Sequence, residues 1–528
     1  MRSLQLILTQ HWRSLVLGLY SLCGLVGLWN HAMWRDELNV WTIARDSDSL
    51  ADLFAAINYE GHPGLWYLLL YGVQFLTQNP FGMQLLHGAI AALAGWLFLA
   101  YAPFQPIQKT VFLFGYFPFF EYFLISRNYN LGILALFAVC VLFSRRRRSY
   151  WELGILLALG ANTSAYCLFL TGAIALTLAI EYCFPKVFAF QTQARQFNVL
   201  GSLVIYSIGV IAAFAQLLPP ADSYLHGGNS LRLGFHLYRF LDVLAQVWVT
   251  HTLVVQPSER FLDVTIFGLL SAGLLLFFGT LLRDRPIILC LYILGNLEIL
   301  GFAYLKFAGG LRHYGHLYIL LILCLWLAQN ESMQTSPQNN VHEQSTTSLI
   351  SSSARFSSIN QKTGRENHVK LPFLRASYPF VFNLMLGLQL VMGLITFTND
   401  FITPYSASKA TARYIQAQNL ENYFIVGNPD MVMTPISGYL NRPIYRAETQ
   451  DLGSYVLFKQ GRGDASHTEV LKQIKNLLTQ SDRPILLILN RELETEPHGL
   501  DVKFLKYFPD GVIHDEEFYL YTIHGNAN

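Results

Sequence analysis

At 528 residues, with 53% hydrophobic and only 13% charged residues, the chain is too apolar for an ordinary soluble domain. A net charge of +2 is too small to suggest nucleic-acid binding. All six cysteines (Cys23, Cys140, Cys167, Cys183, Cys290 and Cys324) fall inside apolar runs, so neither a disulfide framework nor a thiolate metal site is readable.

The N-terminus is basic (Arg2, Arg13) and leads into an apolar run near 14–33. The run is long and lacks a clear small-residue cleavage site, so it reads as a retained first helix rather than a signal peptide. A crossing helix needs roughly 20 apolar residues. By that measure about eleven spans follow one another, near 14–33, 82–102, 110–126, 129–143, 152–165, 166–184, 199–218, 262–282, 286–307, 314–329 and 378–398. The fourth and fifth are short, and Asn162-Thr163-Ser164 is the weakest boundary.

Directly after the first span stands Trp34-Arg35-Asp36-Glu37. An acidic pair at the mouth of a span is costly to place unless water, a cation or a substrate uses it. The loop that follows, roughly 34–81, also carries Trp41 and Trp66, aromatics suited to a membrane boundary. Within it, the 14 residues Gly64–Thr77 open with His62-Pro63 and suit an interfacial or re-entrant helix better than a span. Leaving that stretch out of the count puts Lys109, the run Arg145-Arg146-Arg147-Arg148, Lys186, Arg195, Arg283 and Arg285 on one side. Arg355, Lys362, Arg365, Lys370 and Arg375 fall on the same side. Cytoplasmic loops are enriched in Lys and Arg, so the N-terminus is expected in the cytoplasm and the C-terminal tail outside. The arginine run reads as a topology anchor rather than a partner site.

A second outer segment, about 219–261, holds Pro219-Pro220, His226-Gly227-Gly228-Asn229 and an amphipathic stretch around Leu237–Val249. Residues 330–370 are rich in Ser, Gln, Asn and Thr, a composition expected of a disordered linker. From about Asp400 the pattern changes. Ser408–Gln418 and Glu469–Thr479 read as amphipathic helices. Tyr423–Val426, Tyr455–Lys459, Ile485–Asn490 and Phe518–Thr522 read as short strands. Gly427-Asn428-Pro429-Asp430 lacks the spacing of a phosphate-binding fingerprint and reads as a turn. The expected fold class is therefore an all-α polytopic membrane bundle over 1–399, followed by a small α/β domain with a partly parallel sheet over 400–528. No internal repeat is apparent.

The expected outer face gathers Arg35, Asp36, Glu37, Glu60 and His62 from the first loop. It adds Ser126-Arg127-Asn128-Tyr129 after the third span, and Lys306, Arg312, His313 and His316 between the ninth and tenth. A carboxylate can accept a proton from an attacking hydroxyl, and Arg or His can stabilise charge developing on a phosphate. Asp36 is the candidate general base, with an N-terminal cap on a helix starting near Leu38 as its plainer reading. Glu37 is the second catalytic candidate, and could equally hold a cation or face water. Arg35, His62, Arg127, Tyr129, Arg312 and His313 are candidate substrate-binding residues, with ion pairing or headgroup anchoring as alternatives. Glu121, inside a span, reads as a paired structural acid. Asn296 and Glu298 read as interhelical hydrogen-bonding residues.

Asp36-Glu37 after the first span, His62-Pro63 opening an interfacial helix, and Ser126-Arg127-Asn128-Tyr129 resemble, in that order, the C-type (GT-C) integral-membrane glycosyltransferases. The nearest branches are the protein O-mannosyltransferases, the lipid A aminoarabinose transferases and the transferases of the lipopolysaccharide core. The resemblance spans about residues 10–400, and Gly64 stands where many members have a second proline. It implies a cavity under the first outer loop, a polyprenyl-phosphate sugar donor, and usually inversion at the anomeric carbon. It further implies a hexose or pentose passed to a glycan, lipid or protein acceptor, in the plasma (inner) membrane. Some relatives need a divalent cation; Asp36, Glu37 and His62 could hold Mg²⁺ or Mn²⁺, and basic side chains could do the same work without one. The competing classes are a transporter or flippase, whose polar site usually lies near mid-membrane in a repeated architecture, a polymer ligase or polymerase, and a non-catalytic scaffold.

Overall fold

The computed structural model describes residues 2–224, 232, 234–253, 258–334, 372–480, 483–495 and 499–524. Most of the expected linker, and the motif His226–Asn229, lie outside the described residues. Contacts between residues distant in sequence mark two ends of a helical bundle. At one end Lys109 lies over Trp12, 5.9 Å from the ring centre, and Arg146 pairs with Glu181 and Glu331, each at 2.7 Å. At the other end meet His31, Glu37, Arg127, Arg312 and Asp400.

Among the described residues, nine helices are long and apolar enough to cross a membrane. They belong to α1 (Arg2–Asn30), α5 (Phe81–Tyr101), α7 (Tyr129–Leu142, extended by a 3₁₀ turn), α9 (Ala165–Cys183) and α10 (Gln196–Leu217). The rest are α12 (Phe261–Leu282), α13 (Pro286–Leu305), α14 (Leu311–Gln334) and α15 (Pro372–Ile402). Two expected spans are built differently. The fifth is the short α8 (Trp151–Ala161), packed so closely on α10 that a Cβ at Gly154 would sit 2.8 Å from the Ser202 carbonyl. The third is broken into α6 (Pro106–Leu113) and a nine-residue π-helix, Tyr116–Leu124. The break at Gly115 admits α15: a Cβ on Gly393 would lie 2.4 Å from the Phe114 carbonyl. With these two included, the described residues pass between the ends of the bundle eleven times.

The stretch expected as an outer amphipathic segment is instead α11 (Leu237–Thr252), which enters the bundle. It runs in the same direction as α12, with Leu241 against Gly268 and the Trp248 N–H donating to Ser271 Oγ at 2.9 Å. Its last carbonyls reach mid-bundle, where Thr250 accepts from Gln389 at 2.7 Å. The first loop folds as α2 (Arg35–Arg45), α3 (Leu50–Ile57) and the short α4 (Leu65–Val73), as the length of 64–77 implied.

The tail forms a six-stranded sheet of order β3-β2-β1-β4-β6-β5. β1 (Phe424–Asn428) lies parallel to β2 (Ile444–Arg446) and β4 (Ile485–Leu489). β3 (Asp451–Gly453), β5 (Asp501–Phe508) and β6 (Phe518–His524) add antiparallel edges. The sheet carries α16 (Ser408–Ala417), α17 (Asp430–Leu440) and α18 (His467–Gln480). Asn428-Pro429, a cis bond, leads from β1 into α17. Tyr455–Lys459 is not a strand of the sheet. It is an extended strap whose Val456 backbone is bonded on both sides by the Asn39 side chain, at 2.9 and 3.3 Å. The domain seats directly on the first loop: Gly438 of α17 faces Leu38, and the Met33 N–H donates to Tyr439 Oη at 2.7 Å.

The junction is held by buried charge. His31 Nε2 meets Glu37 at 3.1 Å and Nδ1 meets Asp400 at 3.1 Å, with all three side chains at most 1% exposed. Burial alone would lower the His31 pKa, but Asp400 and Glu37 outweigh it and raise it to about 10. Its folded value exceeds the unfolded one, so its stabilisation is complete below about pH 6.5 and is lost as pH rises through about 10. His31→Ala, which leaves two carboxylates facing each other, is expected to cost ~3–5 kcal/mol. Thermal melts in detergent should show that deficit shrinking from pH 7 to above 10.

Candidate active site

The site begins with the geometry of the first turn of α2. Trp34 caps the helix, and Glu37, three residues on, turns back so that its carboxylate accepts from the Trp34 N–H. Neighbouring helical residues point about 100° apart, so Asp36 cannot follow Glu37 inward. Glu37 is 0% exposed. Its Oε1 accepts from the Ser126 N–H at 2.6 Å, and its Oε2 faces His31. Expected as a second catalytic acid, Glu37 is sealed from solvent, and its bonds tie α1, α2 and the turn after the π-helix together.

Asp36 faces the other way, with its side chain 29% exposed. Arg312 Nη2 lies 3.0 Å from its carboxylate and Arg127 Nη1 3.6 Å. Arg127 Nη1 also donates to the Asp36 carbonyl, and the Arg312 guanidinium rests 5.0 Å from the Trp34 ring centre. The π-helix delivers Arg127, and the glycine turn before α14 delivers Arg312. Gly309 has φ +71, a left-handed conformation, and a Cβ there would press on His313 and the Tyr166 hydroxyl at 3.0 and 3.1 Å. Asp36 and Arg312, 276 residues apart in sequence, are thereby paired.

His62 Nε2 lies 3.1 Å from Arg127 Nη2. A guanidinium only donates, so Nε2 is the acceptor and Nδ1 carries the proton. That Nδ1 is buried and has no hydrogen-bond partner among the described residues. Burial, then Arg127, lowers the His62 pKa to about 3, so the ring is neutral at ordinary pH. The Tyr129 hydroxyl and Ser126 Oγ are likewise buried without partners. The Tyr129 ring stands 5.9 Å from His313 and 5.5 Å from His316. His313 stacks on Tyr166 at 4.9 Å and accepts the Gly310 N–H at 2.8 Å, holding the turn before Arg312. Its contacts make it a support for that turn.

Three expectations need correction. Arg35, a candidate substrate contact, instead reaches the C-terminal domain: Nη1 lies 2.6 Å from Asp515, and its N–H donates to Glu516 at 2.9 Å. Asp36, Glu37 and His62 do not form a cation site, because Glu37 points to the opposite side and the His62 Nε2 lone pair faces a guanidinium. Among the described residues, no group of three His, Cys, Asp or Glu side chains could hold a metal ion. Asn296 bonds within its own helix, to the Tyr292 carbonyl at 2.7 Å, rather than between helices. Glu121, in contrast, is paired as expected, with the Tyr116 hydroxyl at 2.8 Å.

Glu60, a first-loop acid for which the sequence suggests no role, lies inside the cluster. Asn39 donates to its Oε1 at 3.0 Å and the Tyr67 hydroxyl to its Oε2 at 3.3 Å. Its place two residues before His62 was the available signal. Burial raises the Glu60 pKa to about 7, against the opposing pull of Arg127. A carboxyl whose folded pKa is raised stabilises fully below about pH 4.5 and loses that stabilisation as pH climbs through 7. Replacing it by Gln should remove the dependence, so the melting-temperature advantage of wild type over Glu60→Gln is expected to fall between pH 5 and 8.

No family model matches the sequence, and no curated protein does. Among solved structures, the fold matches ArnT from Cupriavidus metallidurans, in a crystal structure bound to undecaprenyl phosphate, with a TM-score of 0.54. The match covers 97% of this chain and 98% of that one, at 12% sequence identity. A likeness this complete at such low identity establishes the architecture: the chain has the fold of that ArnT, a helical bundle with a small C-terminal sheet domain.

Proposed function

We propose that this protein is a membrane glycosyltransferase that moves a sugar from a polyprenyl-phosphate donor to an acceptor hydroxyl. The observation that carries the reading is a partly exposed Asp36 carboxylate held between two guanidinium groups at one end of an apolar bundle. The fold match adds support, since the matched ArnT was solved with undecaprenyl phosphate bound. The reading places the site and the C-terminal domain on the extracytoplasmic side of a plasma (inner) membrane, with the N-terminus in the cytoplasm. The lysine and arginine count of the loops supports that orientation.

In this mechanism the two arginines act in turn on Asp36 and on the donor. Without donor they neutralise Asp36. An entering phosphate competes for the same N–H donors, and Arg grips phosphate bidentately. Asp36 is thereby released to accept a proton from the acceptor hydroxyl. The hydroxyl oxygen bonds to the anomeric carbon as the bond from that carbon to the phosphate oxygen breaks. The lipid phosphate leaves with the electron pair, its charge met by Arg312 and Arg127. Attack opposite the leaving group inverts the anomeric centre. The Nδ1–H of His62 and the Tyr129 hydroxyl, both without partners, are donors for sugar or phosphate oxygens. A flippase reading is weaker because the ion-paired acid and its arginines sit at one end of the bundle, not at its midpoint.

Asp36→Asn is expected to lower transfer by ~10²–10⁴-fold in membranes supplied with polyprenyl-phosphate sugar, with normal insertion. Unchanged transfer would remove Asp36 as the base. Arg312→Lys keeps the charge but loses the fork, and should raise the donor KM more than it lowers kcat. Mass analysis of surface glycans, lipids and glycoproteins from cells lacking the protein identifies the hexose or pentose and its acceptor.

A further inference from the structure

A separate cavity of about 410 Å³ opens where α1 leaves the bundle, between the α4–α5 turn, the start of α5, α16 and α17. Trp29, Gln78, Phe81, Lys409, Arg413 and Tyr439 are among its lining residues. Among the described residues its lining contains no Asp or Glu, and it shares no residue with the Asp36 site. Lys409 and Arg413 stand one turn apart on α16, where like charges repel.

The two cations differ in what they touch. Lys409 Nζ donates to the carbonyls of Trp29, Asn30 and His31 at 2.6, 3.3 and 3.1 Å, capping the negative end of α1. Burial and Arg413 together lower its pKa to about 8, so it too would gain from an anion nearby. Arg413 is exposed, and makes no hydrogen bond or ion pair with a described residue. An exposed guanidinium at a cavity whose described lining holds no carboxylate calls for an oxyanion.

What lies below the cavity narrows the ligand further. Leu22, Val26 and Trp29 share one face of α1 and are 61%, 48% and 67% exposed. On the adjoining α5, Leu85 stands one turn below Phe81 and is 46% exposed, and Trp29 meets Phe81 edge-on at 5.3 Å. Both apolar rows run up to the cavity and end at an aromatic pair, the arrangement expected at the boundary of hydrocarbon and headgroups. A free anion would have no use for those rows. A phospholipid matches both parts.

We infer that this cavity is a second lipid site, in which Arg413 holds the phosphate of an anionic phospholipid whose acyl chains lie along α1 and α5. The bound lipid sits under α16 and α17, so it also braces the seat of the C-terminal domain beside the end of α1. The inference depends only on the chain residing in a bilayer, not on sugar transfer.

Native mass spectrometry of the full chain in detergent, titrated with phosphatidylglycerol or phosphatidylcholine of the same acyl chains, tests it. Wild type should retain phosphatidylglycerol over phosphatidylcholine, and Arg413→Gln should lower that retention roughly fivefold, the usual effect of one basic group on an anionic lipid. Arg413→Lys should keep most of it. Asn79→Trp, which fills the cavity mouth without altering charge, should lower retention as well and serves if the Arg413 variants fold poorly. Equal retention of the two lipids, or full retention by both Arg413→Gln and Asn79→Trp, overturns the site. Displacement of the lipid by an equal concentration of glycerol phosphate would show a site for a free anion, and overturns its assignment to a lipid.

Discussion

The site depends on one buried exchange of charge: a protonated His31 held between Glu37 and Asp400. These three groups come from the end of α1, the first turn of α2 and the end of α15. Glu37 extends the knot to the Ser126 N–H, and so to the turn that carries Arg127. Removing two carboxylates and an imidazole from water is costly, and only their mutual pairing offsets that cost. Once paired, they tolerate little displacement. The position of Arg127 relative to Asp36 follows from that rigidity, as does the direction in which α2 leaves the bundle.

The same helix turn sends two adjacent acids into opposite surroundings. Asp36 and Glu37 are alike in type and differ by one position, yet one is 29% exposed between arginines and the other is fully enclosed. Helical geometry accounts for the split, because consecutive side chains cannot point into the same space. A group that reacts must be reachable by substrate. A group that positions is better sealed, where its hydrogen bonds are strong and unchallenged by water.

The C-terminal domain is joined to this centre by more than a linker. Arg35 binds Asp515 and Glu516, and the strap around Val456 is bonded to Asn39. Asn39 in turn donates to Glu60, which lies in the field of Arg127 and Asp36. One amide side chain therefore links the sheet domain to the polar cluster. The strap also reaches the segment after α10, with the Tyr224 N–H donating to the Phe458 carbonyl at 2.7 Å. The domain covers the end of the bundle at Met33, Arg35, Leu38 and Asn39.

Periodicity and length determined most of the apolar spans, the short helix after His62 and the mixed sheet, because these are properties of the local chain, and the Lys and Arg of the loops put Asp36, Arg127 and Arg312 at one end. Hydrophobic runs must be buried in lipid or protein wherever they occur, and short apolar stretches cannot cross. Tertiary structure alone decided which acid stays exposed between the arginines, that Arg35 serves the domain interface, and that His62 gives its lone pair to an arginine. It also decided that the third span breaks at Gly115 and that α11 enters the bundle, since both depend on neighbours, Gly393 and Gln389, that lie far along the chain. Sequence can place a side chain on a helix, but its partner across space is chosen by the packing of all the others.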